Sequence, residues 1–347
     1  MEFDEDKIVA SSFDELRGET QRFSTQEMVV CPRCARRSPP TRMKCLYCGA
    51  ALPETEATKA LRRPALKTLE EWEQGFNVVL LPDGSAAISD TASHEASALL
   101  RLGKNAFEEM LKVNVPLPLA RVATEDEAQL LEKRFGELNF AVEIIPDVAL
   151  VTETKVPKRV RQLQWTDDEI TFTTKGSDES QRIRSKDIML LVLGRLRKLR
   201  IEVEEGRGRR GGDKEVVESR EMFEDESVLD VHASATGLRW RIAAENFDFS
   251  CLGERKNLLV AQNFRTLTDE LRGRAITARF CDDYTRLRPF LAHAWPLTER
   301  TEAGGLRRSR PGRFHTEAAT IMNNEAQFTR YSCLLHHLEL RRRVKGE

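Results

Sequence analysis

The chain has 347 residues, and its 55 basic and 56 acidic side chains give a formal net charge of −1. That length exceeds one ordinary core and suits two or three domains, while the near-zero charge excludes a whole-molecule field that would by itself hold nucleic acid or an anionic membrane. Apolar runs such as Ile188 to Leu193 fall far short of the roughly 20 residues that span a bilayer, and the N-terminus MEFDEDKIVASSFDEL lacks the basic flank and apolar core of a secretion signal, so a cytoplasmic protein without a membrane span is expected.

Residues 1–30 are rich in Asp, Glu, Ser and Thr with scattered Phe and Leu, which reads as a flexible acidic arm. The next stretch, CPRCARRSPPTRMKCLYCGA, holds four of the seven cysteines and no acid. Cys31, Cys34, Cys45 and Cys48 form C-x2-C-x10-C-x2-C. Two residues between thiolates let each pair wrap one knuckle, with sulfurs about 2.3 Å from a shared tetrahedral ion. In a reducing compartment such pairs are metal ligands rather than disulfides. Two disulfides and a rubredoxin-like iron centre are the alternatives, the iron disfavoured by the polar surroundings RRSPPTRMK. Four thiolates leave no open coordination position, so the expected ion is a structural Zn2+ that activates no water.

This stretch resembles the short zinc-ribbon family, whose pattern runs Cys-Pro-x-Cys-Gly, a polar loop with prolines, then Cys-x-x-Cys-Gly. Cys31-Pro32, Cys34, Ser38-Pro39-Pro40, Cys45, Cys48 and Gly49 fall on that pattern, over residues 31–52. Ala35 departs from it, standing where the family has glycine, which implies strain in the amide-to-sulfur bonding of the first knuckle. Arg33, Arg36, Arg37, Arg42 and Lys44 outweigh the minus-two charge of a zinc tetrathiolate, so the ribbon is a basic knob able to meet a phosphate backbone.

Pro53 and Pro64 among small and charged residues mark 53–65 as a linker. From 66 to 152 the chain reads strand (FNVVLLPDG), helix (SHEASALLRLGKNAFEEMLKV), strand (LPLARV), helix (EAQLLEKRFGEL, with Thr124 and Glu127 as a capping box) and strand (FAVEII), a small α+β domain. Residues 158–298 read as a β-rich domain with closing helices. LQWTDDEITFTTKG and SVLDVHASATGLRWRIA are hairpins, RIRSKDIMLLVLGRLRKLRIEVEE gives two or three strands, and EGRGRRGGDK is a flexible loop between strand groups. KNLLVAQNFRTLTDELRGRA and DDYTRLRPFLAHAW follow as helices. Antiparallel strands closed by one helix are similar in order to a pleckstrin-homology-like barrel over 158–274. TEAGGLRRSRPGRF, within 299–313, reads as a basic linker, and 314–347 as a terminal amphipathic helix. The expected fold class is thus multidomain α+β: zinc ribbon, small α+β domain, and β-rich barrel with C-terminal helices.

No catalytic constellation is legible. Cys333, His336 and His337 lie within one helical turn but lack a partner pair, Cys251 and Cys281 are single, and Ser250 lacks the Gly-x-Ser-x-Gly frame. His94, His232 and His293 have no acid or serine at a recognisable spacing, and neither GxGxxG nor GxxxxGK[ST] occurs. Trp165, Phe172, Trp240, Phe247 and Phe249 read as core. The expectation is a non-catalytic regulatory or adaptor protein that acts through a protein partner. The alternative is a nucleic-acid-binding regulator that uses the basic ribbon.

Overall fold

The computed structural model describes residues 23–62, 66–82, 89–150, 157–174, 180–207, 214–233, 238–310 and 313–346. Most of the acidic arm and the centre of the EGRGRRGGDK loop, residues 208–213, lie outside these. The chain forms two compact units, Met1–Ala65 and Leu66–Glu347. No helix among the described residues is long and apolar enough to cross a membrane.

In the first unit, β1 (Val29–Val30) pairs antiparallel with β2 (Arg37–Ser38) around the first cysteine pair. The second pair lies in a loop closed by the Cys45 amide donating to the Ala50 carbonyl at 2.8 Å. The linker expected at 53–65 contains a helix instead, α1 (Glu56–Leu61). Thr55 and Thr58 cap it reciprocally: the Thr58 amide donates to Thr55 Oγ1 at 3.2 Å and the Thr55 amide to Thr58 Oγ1 at 2.8 Å. Arg62 then packs inward and donates to the carbonyls of Pro40 (3.2 Å) and Pro53 (3.0 Å), which pins the helix to the ribbon. A threonine in the place of the usual Glu or Gln hid the capping box, and a buried arginine reads in sequence as surface.

The second unit begins with a three-stranded antiparallel sheet, in which β3 (Phe76–Leu80) lies between β4 (Leu117–Val122) and β5 (Val142–Pro146). Between β3 and β4 the expected single helix is two, α2 (Asp90–Leu99) and α3 (Lys104–Lys112), broken where Arg101 takes a left-handed φ of 56° and Gly103 caps α3. α4 (Glu125–Glu137) starts at Thr124, which accepts from the Glu127 amide at 3.3 Å, and buries Ala128, Leu131 and Phe135 along one face. The short α5 (Asp147–Leu150) follows β5.

The large sheet is mixed and open. β6 (Lys158–Trp165), β7 (Glu169–Thr174), β8 (Ser180–Arg184), β9 (Ile188–Arg207), β10 (Lys214–Ala233) and β11 (Arg239–Ala243) are followed by α6 (Val260–Arg274), β12 (Arg279–Cys281) and α7 (Tyr284–Ala294). β13 (Thr298–Arg310), β14 (Arg313–Asn323) and α8 (Glu325–Lys345) complete the chain. The strand order is β13-β14-β9-β10-β11-β6-β7-β8, with β12 beside β9.

Two expectations are corrected here. Among the described residues the strands close no barrel, because β9 and β10 pair over almost 20 residues and β14 continues along β9 rather than returning to β8. The basic linker at 299–313 is instead mostly β13, hydrogen-bonded along β14, and the start of the expected terminal helix is β14 itself. Backbone pairing needs no apolar alternation, and an Arg- and Gly-rich strand carries no period-2 signal.

Packing explains the sequence of the sheet. On one face Leu191, Leu229, Val231, Trp240 and Ile242 meet Phe264, Leu267 and Leu271 of α6. On the other, Leu190, Val192 and Val228 join a second cluster that includes the three-stranded sheet, α7 and α8. Burial of both faces accounts for the unbroken apolar run IMLLVL in β9. Residues 66–152, expected as a domain of their own, therefore share a core with β9, α7 and α8 in a single unit.

Candidate metal centre

The four cysteines of the ribbon converge. Cys31 Sγ lies 3.5 Å from Cys48 Sγ and Cys34 Sγ 3.6 Å from Cys45 Sγ, and all four sulfurs lie within 4.8 Å of one another. Four ligands about 2.3 Å from a tetrahedral ion stand roughly 3.8 Å apart, so the thiols already hold the geometry that an ion such as zinc requires. Among the described residues this is the sole group of three or more His, Cys, Asp or Glu side chains so placed.

Each knuckle builds this arrangement from the same backbone. The Ala35 amide donates to the Cys31 carbonyl at 2.9 Å, and the Gly49 amide to the Cys45 carbonyl at 3.0 Å. Both turns close through a left-handed residue, Ala35 with φ 57° and Gly49 with φ 70°. Glycine adopts that conformation freely, whereas alanine pays roughly 1 kcal/mol for it.

Hydrogen bonds tune the sulfurs. The Tyr47 amide (3.5 Å from Cys45 Sγ), aided by the Cys48 amide and the Ser38 hydroxyl (3.7 Å), draws the Cys45 thiol down to about 6 against its burial. The Arg36 amide lowers Cys34 too, but burial and the neighbouring sulfurs outweigh it and push that thiol up to about 12. Crowded thiols thus resist full ionisation by themselves, and a divalent cation resolves the repulsion. Ser38 is fully buried and also accepts from the Leu46 amide at 3.4 Å, so it braces the second knuckle. In the sequence Ser38 stands only in a polar loop, and its alternation with Arg37 in β2 is the one signal of its burial.

Around the sulfurs the unit has almost no core: the apolar cluster among its described residues is Cys31, Cys45 and Leu52. The outer surface is basic and aromatic. Arg33, Arg36, Arg37, Arg42 and Lys44 are exposed, the Arg36 guanidinium lies 4.8 Å over the Tyr47 ring, and Leu46 and Tyr47 are 53 and 59% exposed at the second knuckle.

The other sequence candidates fall elsewhere. Cys333 and His336 are buried on α8, where Arg239 donates to Cys333 Sγ at 2.6 Å and contacts His336 Nδ1 at 3.1 Å, while His337 is only partly covered. His232, on β10, bonds Ser332 at 2.7 Å and stacks on His336 at 4.7 Å. That Ser–His pair is fully enclosed. Ser250 donates to Asp248 in a capped turn, and burial pushes the Cys251 thiol up to about 11 and raises that of Cys281. His94 and His293 are exposed. Phe172 and Trp240 stack at 4.3 Å inside the core, Phe247 and Phe249 meet edge to face, and Trp165 lies under the Arg274 guanidinium. Comparison of the chain with protein-family models, with curated proteins and with solved structures finds no match.

Proposed function

We propose that the protein is a zinc-ribbon adaptor or regulator that catalyses no reaction and acts by contacting a protein partner. The observation that carries this reading is the closed thiol set. Four converging sulfurs around one point leave no coordination position for water or substrate, so the metal supplies folding energy to a small module. What that module then presents is a surface. Leu46 and Tyr47 stand out from the second knuckle, and an exposed aliphatic and aromatic pair of this kind is suited to a pocket on a protein partner.

A second reading has its own observation. The five exposed cations, with Arg36 stacked on Tyr47, suit a nucleic-acid backbone with an unstacked base against the ring. The two readings separate in one experiment. Capture from the native host, with and without nuclease, is compared for Leu46→Ser with Tyr47→Ala and for Arg36→Glu, Arg37→Glu and Arg42→Glu together. The adaptor reading expects loss of the principal protein with the knuckle variant and retention with the charge reversal at physiological salt. Loss on charge reversal together with loss on nuclease treatment transfers the function to nucleic acid.

A further inference from the structure

The second unit contains a cavity of about 350 Å³ whose walls are Leu69, Trp72, Trp295 and Leu297 and whose polar side is Arg121 and Arg330. Its volume is that of a small-ligand pocket. Behind it lies an unbalanced buried charge. Asp147 accepts from Arg121 Nε at 2.9 Å and Nη2 at 2.8 Å through Oδ2, and from Arg330 Nη1 at 3.0 Å through Oδ1. The Asn77 side chain and the Gly75 amide donate to the same carboxylate at 2.9 Å each. One saturated carboxylate thus faces two guanidiniums, all three side chains being at most 12% exposed.

The two arginines differ in what remains to them. Arg121 turns its other N–H groups to the carbonyls of Leu69, Glu70 and Glu73. Among the described residues Arg330 makes one further bond, from Nη2 to the Glu71 carbonyl at 3.5 Å, and a guanidinium has five donors. Burial, with Arg121 adding to it, pulls Arg330 below its usual value in spite of Asp147. The remaining charges are at the rim: Arg300, with Glu71 3.9 Å from it, and the exposed Glu70 and Glu299. Exposed rim charges are screened by solvent, whereas the largely covered Arg330 is screened much less. A dianion would still meet three carboxylates on entry, so a singly charged ligand fits better. Trp72, 79% exposed at the mouth, and Leu297 offer that ligand an apolar seat.

We propose that this cavity binds a small monocarboxylate with an aromatic or aliphatic body, its carboxylate on Arg330 and its body between Trp72 and Leu297. The site lies wholly within residues 66–347, and its assignment does not rest on the role of the ribbon. The test is titration of the full chain with 3-phenylpropionate, its neutral amide and inorganic phosphate, followed by calorimetry and tryptophan fluorescence. One-to-one saturation by the acid is expected, with the amide at least 10-fold weaker, as a lost charge-assisted hydrogen bond requires, and phosphate weaker than the acid. Arg330→Gln should weaken the acid at least 10-fold. Because Arg330 also braces Asp147, Trp72→Ala and Leu297→Glu at the rim provide variants that leave the buried cluster intact, and each should weaken it about 5-fold or more. Equal binding of acid and amide, no saturation by the acid up to millimolar concentration, tighter binding of phosphate, or unchanged affinity in folded Arg330→Gln or in both rim variants would overturn the assignment.

Discussion

Ala35 carries a backbone conformation that its own side chain resists, and Gly49 occupies the equivalent place in the second knuckle at no such cost. Ala35→Gly should therefore stabilise the ribbon by about 1 kcal/mol, which a chelator competition would register as roughly a fivefold rise in the chelator needed to strip the metal. No change would mean that the turn relaxes around alanine. His232 makes a second prediction. Its burial, the largest influence, together with nearby His336, Arg239 and Arg241 holds it neutral well below the ordinary histidine range. The unfolded chain takes up a proton near 6.5 that the folded chain refuses, so stability is highest above that pH and falls as pH drops below it. Denaturant melts between pH 7.5 and 5 should show His232→Gln flattening this decline by about one proton's worth, roughly 1.4 kcal/mol per pH unit at most. An identical slope in the variant would place the titration elsewhere. Ligand identity was legible at this scale because C-x2-C spacing is local chemistry. The buried roles of Arg62, Arg121, Arg239 and Arg241, and the pairing of Arg330 with Asp147, were not, since an arginine's environment is set by residues far away in the chain.

At the scale of elements, α8 is the piece on which the second unit closes. Phe328 lies over Gly194 of β9, and a Cβ added there would fall 2.3 Å from its ring. Asn324 receives the Arg197 amide at 2.6 Å and donates to Tyr284 Oη at 2.9 Å, Gln327 donates to the Trp295 carbonyl at 2.8 Å, and Thr329 accepts from Arg241 at 2.9 Å. Polar residues of β10 and β11, among them Asp230 paired with Arg241 at 2.7 Å, meet this helix on the face opposite α6. Gly194→Ala should destabilise the unit by about 1–3 kcal/mol through overpacking, and Phe328→Leu should recover part of it in a double-mutant cycle. Additive effects of the two changes would break the proposed contact. The amphipathic α4 and α6 were readable because one apolar stripe meets one core. The helical character of α8 is legible but its place at the centre of the fold is not, because half of its buried side chains are polar, and β13 escapes because pairing between charged strands leaves no hydrophobic period.

At the scale of the whole molecule, the two units rest on different sources of stability. Residues 66–347 bury two extensive apolar clusters, whereas the ribbon buries little beyond two cysteines and Leu52. A segment that small does not hold a fold by burial alone. Removal of the ion should accordingly unfold residues 23–62 and leave the larger unit cooperative, with its melting transition unchanged. The most direct test of the central claim is elemental analysis of protein prepared with zinc present, for the native chain and for Cys45→Ser with Cys48→Ser. About one zinc per native chain and none in the variant is expected; a metal-free native chain, or a variant that retains the full equivalent, would contradict a structural zinc held by the four cysteines.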